Sequence, residues 1–235
     1  MAGTGTRRKG LRLSRERRVA EIMAAARAVF REKGYDEALL SEIAERAQVV
    51  EGNIYRYFDN KRDLLVKVIE DWYETMLADY DQQLSRIHGT RARLNFMIWR
   101  HLKTVHDEPS LCQLMFLHLR TWPDYSSTAV HELNREYTRR TLDIVREGIE
   151  AGELRDDVPL RLVRDMIYGC VEHRTWAYLR GEGDFDPDKV ADDIVDLVLG
   201  GLARHGARSE ERPDIAERLE NAVARLERLS AHPDS

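Results

Sequence analysis

A dense cluster of basic side chains near the amino terminus offers one clear chemistry, the binding of phosphate. Glu16 is the one acidic residue among these basic side chains. The cluster consists of Arg7, Arg8, Lys9, Arg12, Arg15, Arg17 and Arg18. Residues 1–62 carry 14 Lys and Arg against 9 Asp and Glu, whereas residues 63–235 carry 23 against 33. Such a cluster attracts polyanions and predicts salt-dependent binding, although a solvated disordered tail has the same composition.

Catalytic chemistry finds little support in the sequence. A run that begins at His131 starts like a zinc-protease helix, but Arg135 stands where the second His must be. The aspartates at 184–188 alternate like a calcium loop, yet Lys189 replaces the Gly that the turn needs. Neither a Walker-type phosphate loop nor a Gly-x-Ser-x-Gly elbow occurs. We therefore expect no enzyme, no bound metal and no cofactor.

Length and composition indicate a folded protein of one large or two small domains. The chain has 235 residues, 43% hydrophobic and 34% charged, and its longest apolar stretches are far shorter than a membrane span. The basic start lacks the apolar core and cleavage site of a secretory signal, so we expect a cytoplasmic protein without membrane contact. The two cysteines, Cys112 and Cys170, are predicted to be buried thiols.

Hydrophobic periodicity predicts an all-α fold. After Ser14, a plausible N-cap, one apolar stripe runs to Gly34 and contains Val19, Ile22, Met23, Ala26 and Phe30. A second, shorter stripe holds Leu40, Ile43, Ala44 and Ala47, and a third helix is predicted over 51–58 with Ile54 and Phe58 pointing inward.

A fourth, longer helix is predicted to link two halves of the chain. Asn60 is suited to cap it, Asp63 complements its dipole, and its apolar stripe continues through Trp72 and Met76. Further helical segments follow, separated by Gly- and Pro-containing breaks. After Pro213, a final amphipathic helix that packs on the body or a partner is predicted from Ile215, Leu219, Ala222, Leu226 and Leu229.

Two short helices around a tight turn, preceded by a longer helix and a basic arm, are the geometry that places a helix in a DNA major groove. Four blocks of this region resemble the DNA-binding domain of TetR-family regulators in order and spacing: AARAVFREKGY at 25–35, IAERA at 43–47, GNIYRYF at 52–58 and NKRDLL at 60–65. The resemblance implies four parts of the chain. They are a basic disordered arm at 1–13, a helix-turn-helix domain at 14–60, an effector-binding and dimerisation domain at 61–206, and a carboxy-terminal extension with one amphipathic helix at 207–235.

The resemblance also implies a set of DNA-contacting residues, Ser41, Val50, Glu51, Asn53, Tyr55, Arg56, Tyr57 and Lys61. Within this set Glu51, Asn53 and Arg56 would approach base edges, while Tyr55, Tyr57 and Lys61 would lie near phosphates. The chemistry agrees, because Asn pairs bidentately with adenine and Arg with guanine. For Tyr57 an alternative is open, in which its ring covers the core of the small domain.

Two positions depart from the family pattern. Leu39 and Leu40 stand where a small hydroxyl residue usually caps the second helix, so Ser41 is a late candidate for the cap. Gln48 stands where the tight turn usually has Gly, and we expect it to adopt an uncommon backbone conformation.

The resemblance implies that helices at 159–180 and 187–205 pack against their copies in a homodimer, with a monomer core as the alternative. Such a dimer would space two recognition helices by about 34–36 Å and require a palindromic double-stranded operator. Large side chains between the linking helix and these two predict an apolar effector pocket, with ordinary core packing as the alternative for each. The candidates are Trp72, Met76, Phe96, Trp99, Met115, Leu119, Trp122, Tyr137 and Trp176.

The body loosely resembles the fatty-acid-metabolism repressors of that family, whose effectors are acyl-CoA thioesters, through residues 146–154 and 164–169. The function implied is a repressor that a small apolar effector releases from a palindromic operator, with an acyl-CoA or a fatty acid as the suspected effector. An alternative is a regulator of an efflux or aromatic-compound pathway with a drug-like or aromatic effector. A distant alternative is a helical protein-binding adaptor, which would leave the basic amino-terminal module unexplained.

Overall fold

The computed structural model describes the backbone of residues 5–203 and the side chains of residues 15–203. Within that range the α-helices are α1 (Gly5–Glu37), α2 (Leu40–Arg46), α3 (Glu51–Ile54), α4 (Lys61–Leu84), α5 (Thr90–Asp107), α6 (Pro109–Gln113), α7 (Ala129–Glu150), α8 (Leu160–Leu179) and α9 (Pro187–Leu202). The described part has no strand, only an isolated bridge between Leu154 and Ala203. The predicted all-α class is confirmed.

The amino-terminal head comprises α1, α2, α3 and the start of α4. Its core contains most of the apolar side chains of the predicted stripes, whereas Val19, Met23 and Leu40 are only half-buried. The core residues that are at most 4% exposed include Ile22, Ala26, Phe30, Ile43, Ala44, Ile54, Phe58, Leu65 and Ile69. Gly34, with φ of 75° and ψ of −174°, breaks the regular helix of α1 at the predicted position. The start of α1 differs from the prediction. The helix begins at Gly5, so residues 5–13 of the predicted arm are helical, in keeping with their helix-favouring Arg, Lys and Leu.

Helix α4 belongs to both halves of the molecule. Its N-cap is Asn60, whose side chain accepts a hydrogen bond from the Asp63 backbone at 2.9 Å, as the sequence predicts. Its 24 residues span about 36 Å at 1.5 Å per residue. Leu65 packs in the head, whereas Tyr73 and Tyr80 pack in the body, so any tilt of α4 moves both ends.

The body is a bundle in which α5 packs against α7, α8 and α9. Polar side chains along α5 bind α9 at two levels: Arg91 lies 2.5 Å from Asp196, and Asn95 donates to Asp192 at 2.7 Å. Helix α9 has Asp186 as its N-cap, and the side chain of Asp186 accepts from two backbone N–H groups just after Pro187. The predicted final amphipathic helix lies outside the described residues.

Between α6 and α7 the chain leaves regular α-helix. Residues Leu114–His118 form one π-helical turn, and short 3-10 turns follow at Leu119–Thr121 and Tyr125–Ser127. Pro123 ends the helical run at the predicted break, because it lacks a backbone N–H and clashes with the preceding turn. We call residues 114–124 the π-helical segment.

The structure corrects one prediction about the cysteines. Cys112 is buried, whereas Cys170 is exposed on α8. Val163, Ile167 and Val171 form the buried face of α8, and Cys170 lies next to it on the outer face. Across the described residues, each helix is too short or too polar to cross a membrane.

Candidate DNA-reading head and effector cavity

The turn between α2 and α3 is tight and centres on Gln48. Its φ of 55° lies in the left-handed region, which confirms the uncommon conformation expected there. The backbone N–H of Ala47 donates to Ile43, and that of Val49 donates to Ala44, each at 2.9 Å. These bonds close the end of α2 and fix the direction in which α3 leaves it.

Helix α3 is shorter than the predicted 51–58. Regular helix covers Glu51–Ile54, and the chain continues in single turns, with the backbone N–H of Tyr57 and that of Phe58 both donating to the Ile54 carbonyl. Ile54 and Phe58 are 0% and 4% exposed, as predicted. They hold the short helix against the head core.

The outer surface of α3 carries most of the predicted DNA-contacting residues. Val50, Glu51, Tyr55 and Arg56 are exposed, and Asn53 is half-buried. Neither a hydrogen bond nor an ion pair within the described residues engages the side chains of Glu51, Asn53 or Arg56. Their donors and acceptors are therefore free to meet a base edge.

Two further predicted DNA contacts flank this surface. Ser41 is exposed on α2 but does not cap it, since the N-cap is Leu39 and no side chain bonds the first turn. The expected late cap at Ser41 is thus corrected, because Ser41 already lies inside the helix. Tyr57 is half-buried against the head core, and the Arg15 guanidinium lies 5.9 Å from its ring centroid.

Lys61 has an internal role in the structure. Its ammonium donates to the carbonyls of Tyr35, Asp36 and Ala38 at 2.8, 3.1 and 3.0 Å, and it lies 4.6 Å from the Tyr35 ring centroid. A lysine ammonium has three donors, and all three are used here. These bonds tie the end of α1 to the start of α4, so Lys61 shapes the head from within.

Replacing Lys61 by Met is therefore expected to lower the free energy of unfolding by about 1.5–3 kcal/mol, because three carbonyls lose a charged donor. Urea unfolding measures this. Lys67→Met is the matched control, since Lys67 makes one exposed pair with Glu70 at 2.7 Å and should cost at most about 0.5 kcal/mol. Equal destabilisation by the two variants would show that the Lys61 bonds contribute nothing.

A cavity lies in the body beside α4. It measures about 20 Å³, room for about one water molecule, so an apolar ligand must displace side chains to enter. Its wall comes from α4, α5, α6, the π-helical segment and α7. The lining residues are Trp72, Tyr73, Met76, Tyr80, His101, Thr104, Val105, Cys112, Met115, Phe116 and Tyr137.

Several predicted effector residues line this cavity, namely Trp72, Met76, Met115 and Tyr137. Met76 and Met115 are flexible and polarisable side chains, which suits a wall that must repack around a ligand. Tyr80, His101, Thr104, Val105 and Cys112 were not predicted. For His101, the signal available was its position five residues after Phe96 in an amphipathic helix, too weak to separate it from a surface histidine.

The other predicted effector residues lie outside the cavity wall. Phe96 and Trp99 pack behind Tyr80, with Phe96 touching both rings. Leu119 is fully buried in the core, Trp122 lies against the head, and Trp176 is half-buried on α8. Residue size alone therefore failed to separate cavity wall from ordinary packing.

The polar groups of the wall are neutral. The Nδ1 atom of His101 lies 2.7 Å from the Tyr137 hydroxyl, and burial, followed by the Arg120 charge, lowers the pKa of His101 to about 4. Burial also holds the pKa of Tyr137 well above its ordinary value. The Tyr80 hydroxyl donates to the Arg100 carbonyl at 3.0 Å and lies 2.6 Å from the Thr104 hydroxyl. The wall thus offers hydrogen bonds but no buried charge.

The outer faces of α8 and α9 form a continuous candidate for subunit contact. They expose large apolar side chains: Leu162 at 51%, Met166 at 53% and Leu197 at 75%. Among the described residues, and apart from the backbone of its own helix, a Cβ added at Gly169, Gly200 or Gly201 would meet no atom within 4 Å, so another backbone can approach these glycines. We call this surface the α8/α9 face.

Comparison with known families agrees with this architecture. Residues 22–68 match the family described as bacterial regulatory proteins, tetR family, and residues 88–202 match the tetracyclin repressor-like carboxy-terminal domain. The chain belongs to the TetR family. This TetR-family chain is a transcription regulator and not an enzyme.

The matches to individual relatives extend over nearly the whole length of each relative. The chain is 25% identical over 182 residues to the fatty acid metabolism regulator protein of Bacillus subtilis, covering 77% of this chain and 94% of that one. It is 22% identical over 195 residues to the transcriptional repressor KstR2 of Mycobacterium tuberculosis, covering 80% and 94%. Its fold resembles the crystal structure of the regulator FadR from Bacillus subtilis in complex with stearoyl-CoA. That match has a TM-score of 0.69 and 24% identity, over 78% of this chain and 98% of that one.

Proposed function

We propose that this TetR-family regulator is a homodimeric repressor that is released from a palindromic operator by a long-chain acyl-CoA. The observation that carries the effector class is the cavity beside α4, which is apolar, neutral and built partly from the helix that continues into the head. A regulator of chromosomal DNA acts in the cytoplasm, where we expect this protein.

The charge of the cavity argues for a thioester over a free acid. Its lining contains no Lys, Arg, Asp or Glu, and His101 is held neutral. A carboxylate drawn inside would lose its hydration without gaining a cation, which is costly. The acyl chain of a thioester carries no charge, so it can enter while the anionic CoA stays outside.

A cation lies next to Phe116, one of the wall residues of the cavity. The Arg120 guanidinium lies 5.3 Å from the ring centroid of Phe116 and 3.2 Å from Glu172. A phosphate of CoA can replace Glu172 as its partner, since Arg pairs bidentately with phosphate. The effector named in the FadR complex, stearoyl-CoA, has this combination of apolar chain and anionic group.

Stearoyl-CoA is therefore expected to stabilise the protein by about 2.7 kcal/mol at 100 times its Kd, raising the Tm by about 5–10 °C. Thermal denaturation measures this, with free CoA and stearate as controls that should shift the Tm far less. Met76→Trp, which fills the cavity, should reduce the affinity for stearoyl-CoA by at least about 10-fold. Absence of a Tm shift with acyl-CoAs whose acyl chains have about 12 to 20 carbons would exclude this effector class.

A second candidate, an aromatic or polycyclic effector, is favoured by one observation. Five aromatic side chains line the cavity: Trp72, Tyr73, Tyr80, Phe116 and Tyr137. Such walls suit flat ring systems through stacked and edge-to-face contacts. The same thermal screen decides between the candidates, because a ring compound that outperforms stearoyl-CoA would replace it.

Effector binding and DNA binding are coupled because α4 belongs to both the cavity wall and the head. A ligand that enters beside Trp72 and Met76 displaces α4, and α4 begins at the head. Release from DNA requires that the ligand bind more tightly to the form whose heads no longer match the operator. Titration of a labelled operator with and without saturating stearoyl-CoA measures this. Unchanged operator affinity would refute release by that effector.

A further inference from the structure

A second connection between head and body lies away from the middle of α4. It joins the first turn of α4 to the π-helical segment and consists of Arg62, Trp122, Asp124 and Tyr35, whose ring lies against that of Trp122. We call these four residues the inter-domain clamp.

Arg62 is the centre of the clamp. Its guanidinium lies 4.2 Å from the ring centroid of Trp122 and forms an ion pair with the Asp124 carboxylate. Asp124 and Trp122 flank Pro123, whose ring restricts the backbone between them. One side chain of the head is thus bound by two side chains of a stiff turn in the body.

Tyr35 extends the clamp toward the recognition helix. Its ring centroid lies 5.9 Å from that of Trp122 and 5.4 Å from that of His118. The Tyr35 carbonyl also accepts from Lys61, the neighbour of Arg62. Tyr35 precedes the turn that leads into α2, so movement of Trp122 reaches both ends of the helix-turn-helix.

The other end of the clamp reaches the cavity. The π-helical turn Leu114–His118 places Met115 and Phe116 in the cavity wall, and His118 in the same turn contacts Tyr35. A π-helical turn carries weaker, less regular hydrogen bonds than α-helix and is often found at functional sites. The cavity is too small for a ligand unless wall residues move, so this turn is the part of the wall best able to yield.

We propose that Arg62 is the positioning residue that transmits effector binding to the head, and this proposal rests on the function proposed above. Ligand entry displaces Met115 and Phe116, the π-helical turn shifts, and Trp122 and Asp124 carry Arg62 with them. The start of α4, which residues 55–60 connect to the recognition helix α3, then turns the head away from its operator-bound orientation.

Arg62→Ala tests this with Arg91→Ala as the matched control. Arg91 also forms an exposed inter-helix ion pair, with Asp196 at 2.5 Å, but it lies within the body. Stearoyl-CoA should weaken operator binding by about 10-fold or more in the parent and in Arg91→Ala. In Arg62→Ala the effect should fall below about 2-fold, while the Kd for stearoyl-CoA stays within about 3-fold of the parent. Arg62→Lys, which retains the charge pair, should restore part of the response.

An experiment without effector tests the clamp independently of the proposed effector. Amide hydrogen exchange of residues 34–40 and 58–64 should be at least about 3-fold faster in Arg62→Ala than in the parent, and unchanged in Arg91→Ala. If the parent does not respond to stearoyl-CoA, the proposed effector fails, yet faster exchange still supports the clamp. A full effector response in Arg62→Ala, or exchange equal to that of Arg91→Ala, overturns it.

Discussion

Replacing Arg56 by Ala is expected to weaken specific binding to the operator by about 100-fold or more. A bidentate contact of Arg to guanine contributes about 1–3 kcal/mol, and a dimer on a palindromic site makes it twice. Arg56 is exposed in the turn that follows the recognition helix α3 and has no protein partner within the described residues. Its loss therefore costs DNA contacts while leaving the folded head intact.

Arg46→Ala is the matched control for Arg56. It removes the same charge from the same domain, but the Arg46 guanidinium is already held by both carboxylate oxygens of Glu32, at 2.6 and 2.8 Å. Operator titrations at several salt concentrations separate base reading from phosphate attraction. Specific affinity lost equally in both variants would contradict a base-reading role for Arg56.

The fold of the head was largely predictable because it depends on local patterns. An apolar stripe, Gly34 and the Asn60 cap define where helices begin and end, and each is a matter of spacing within a few residues. Gln48 was expected to take a left-handed conformation and does so. The internal bonds of Lys61 were not predictable, since they join residues more than twenty positions apart.

The cavity was less predictable, because it depends on how distant helices pack. Trp122 and Met115 are both large apolar side chains seven residues apart, yet one meets Arg62 and the other lines the cavity. Met115 lies within the π-helical turn, whereas Trp122 lies beyond that turn and the 3-10 turn after it, so the regular α-helical period does not relate the directions of the two side chains. No hydrophobic period in the sequence predicts the π-helical turn. His101 was missed for a related reason, since only packing shows that it points inward.

A substitution on the α8/α9 face is expected to have a large effect, because operator binding by a dimer depends on this face. Leu197→Glu is expected to dissociate the dimer and give particles of 27.3 kDa in sedimentation velocity, half the mass of the parent. Leu197 is 75% exposed in the single chain. An added carboxylate would be buried against its own copy in the dimer and lose its hydration, at a cost of several kcal/mol.

Loss of the dimer is also expected to weaken operator binding strongly. Each monomer would grip one half-site alone, so the affinity that two linked heads gain from effective concentration, about 100-fold or more, is lost. Leu117→Glu is the matched control, since Leu117 is 49% exposed but lies outside the α8/α9 face. It should remain a dimer. A Leu197→Glu protein that sediments at the mass of the parent would show that subunits meet elsewhere, and the spacing of the two heads would then have to be derived from another surface.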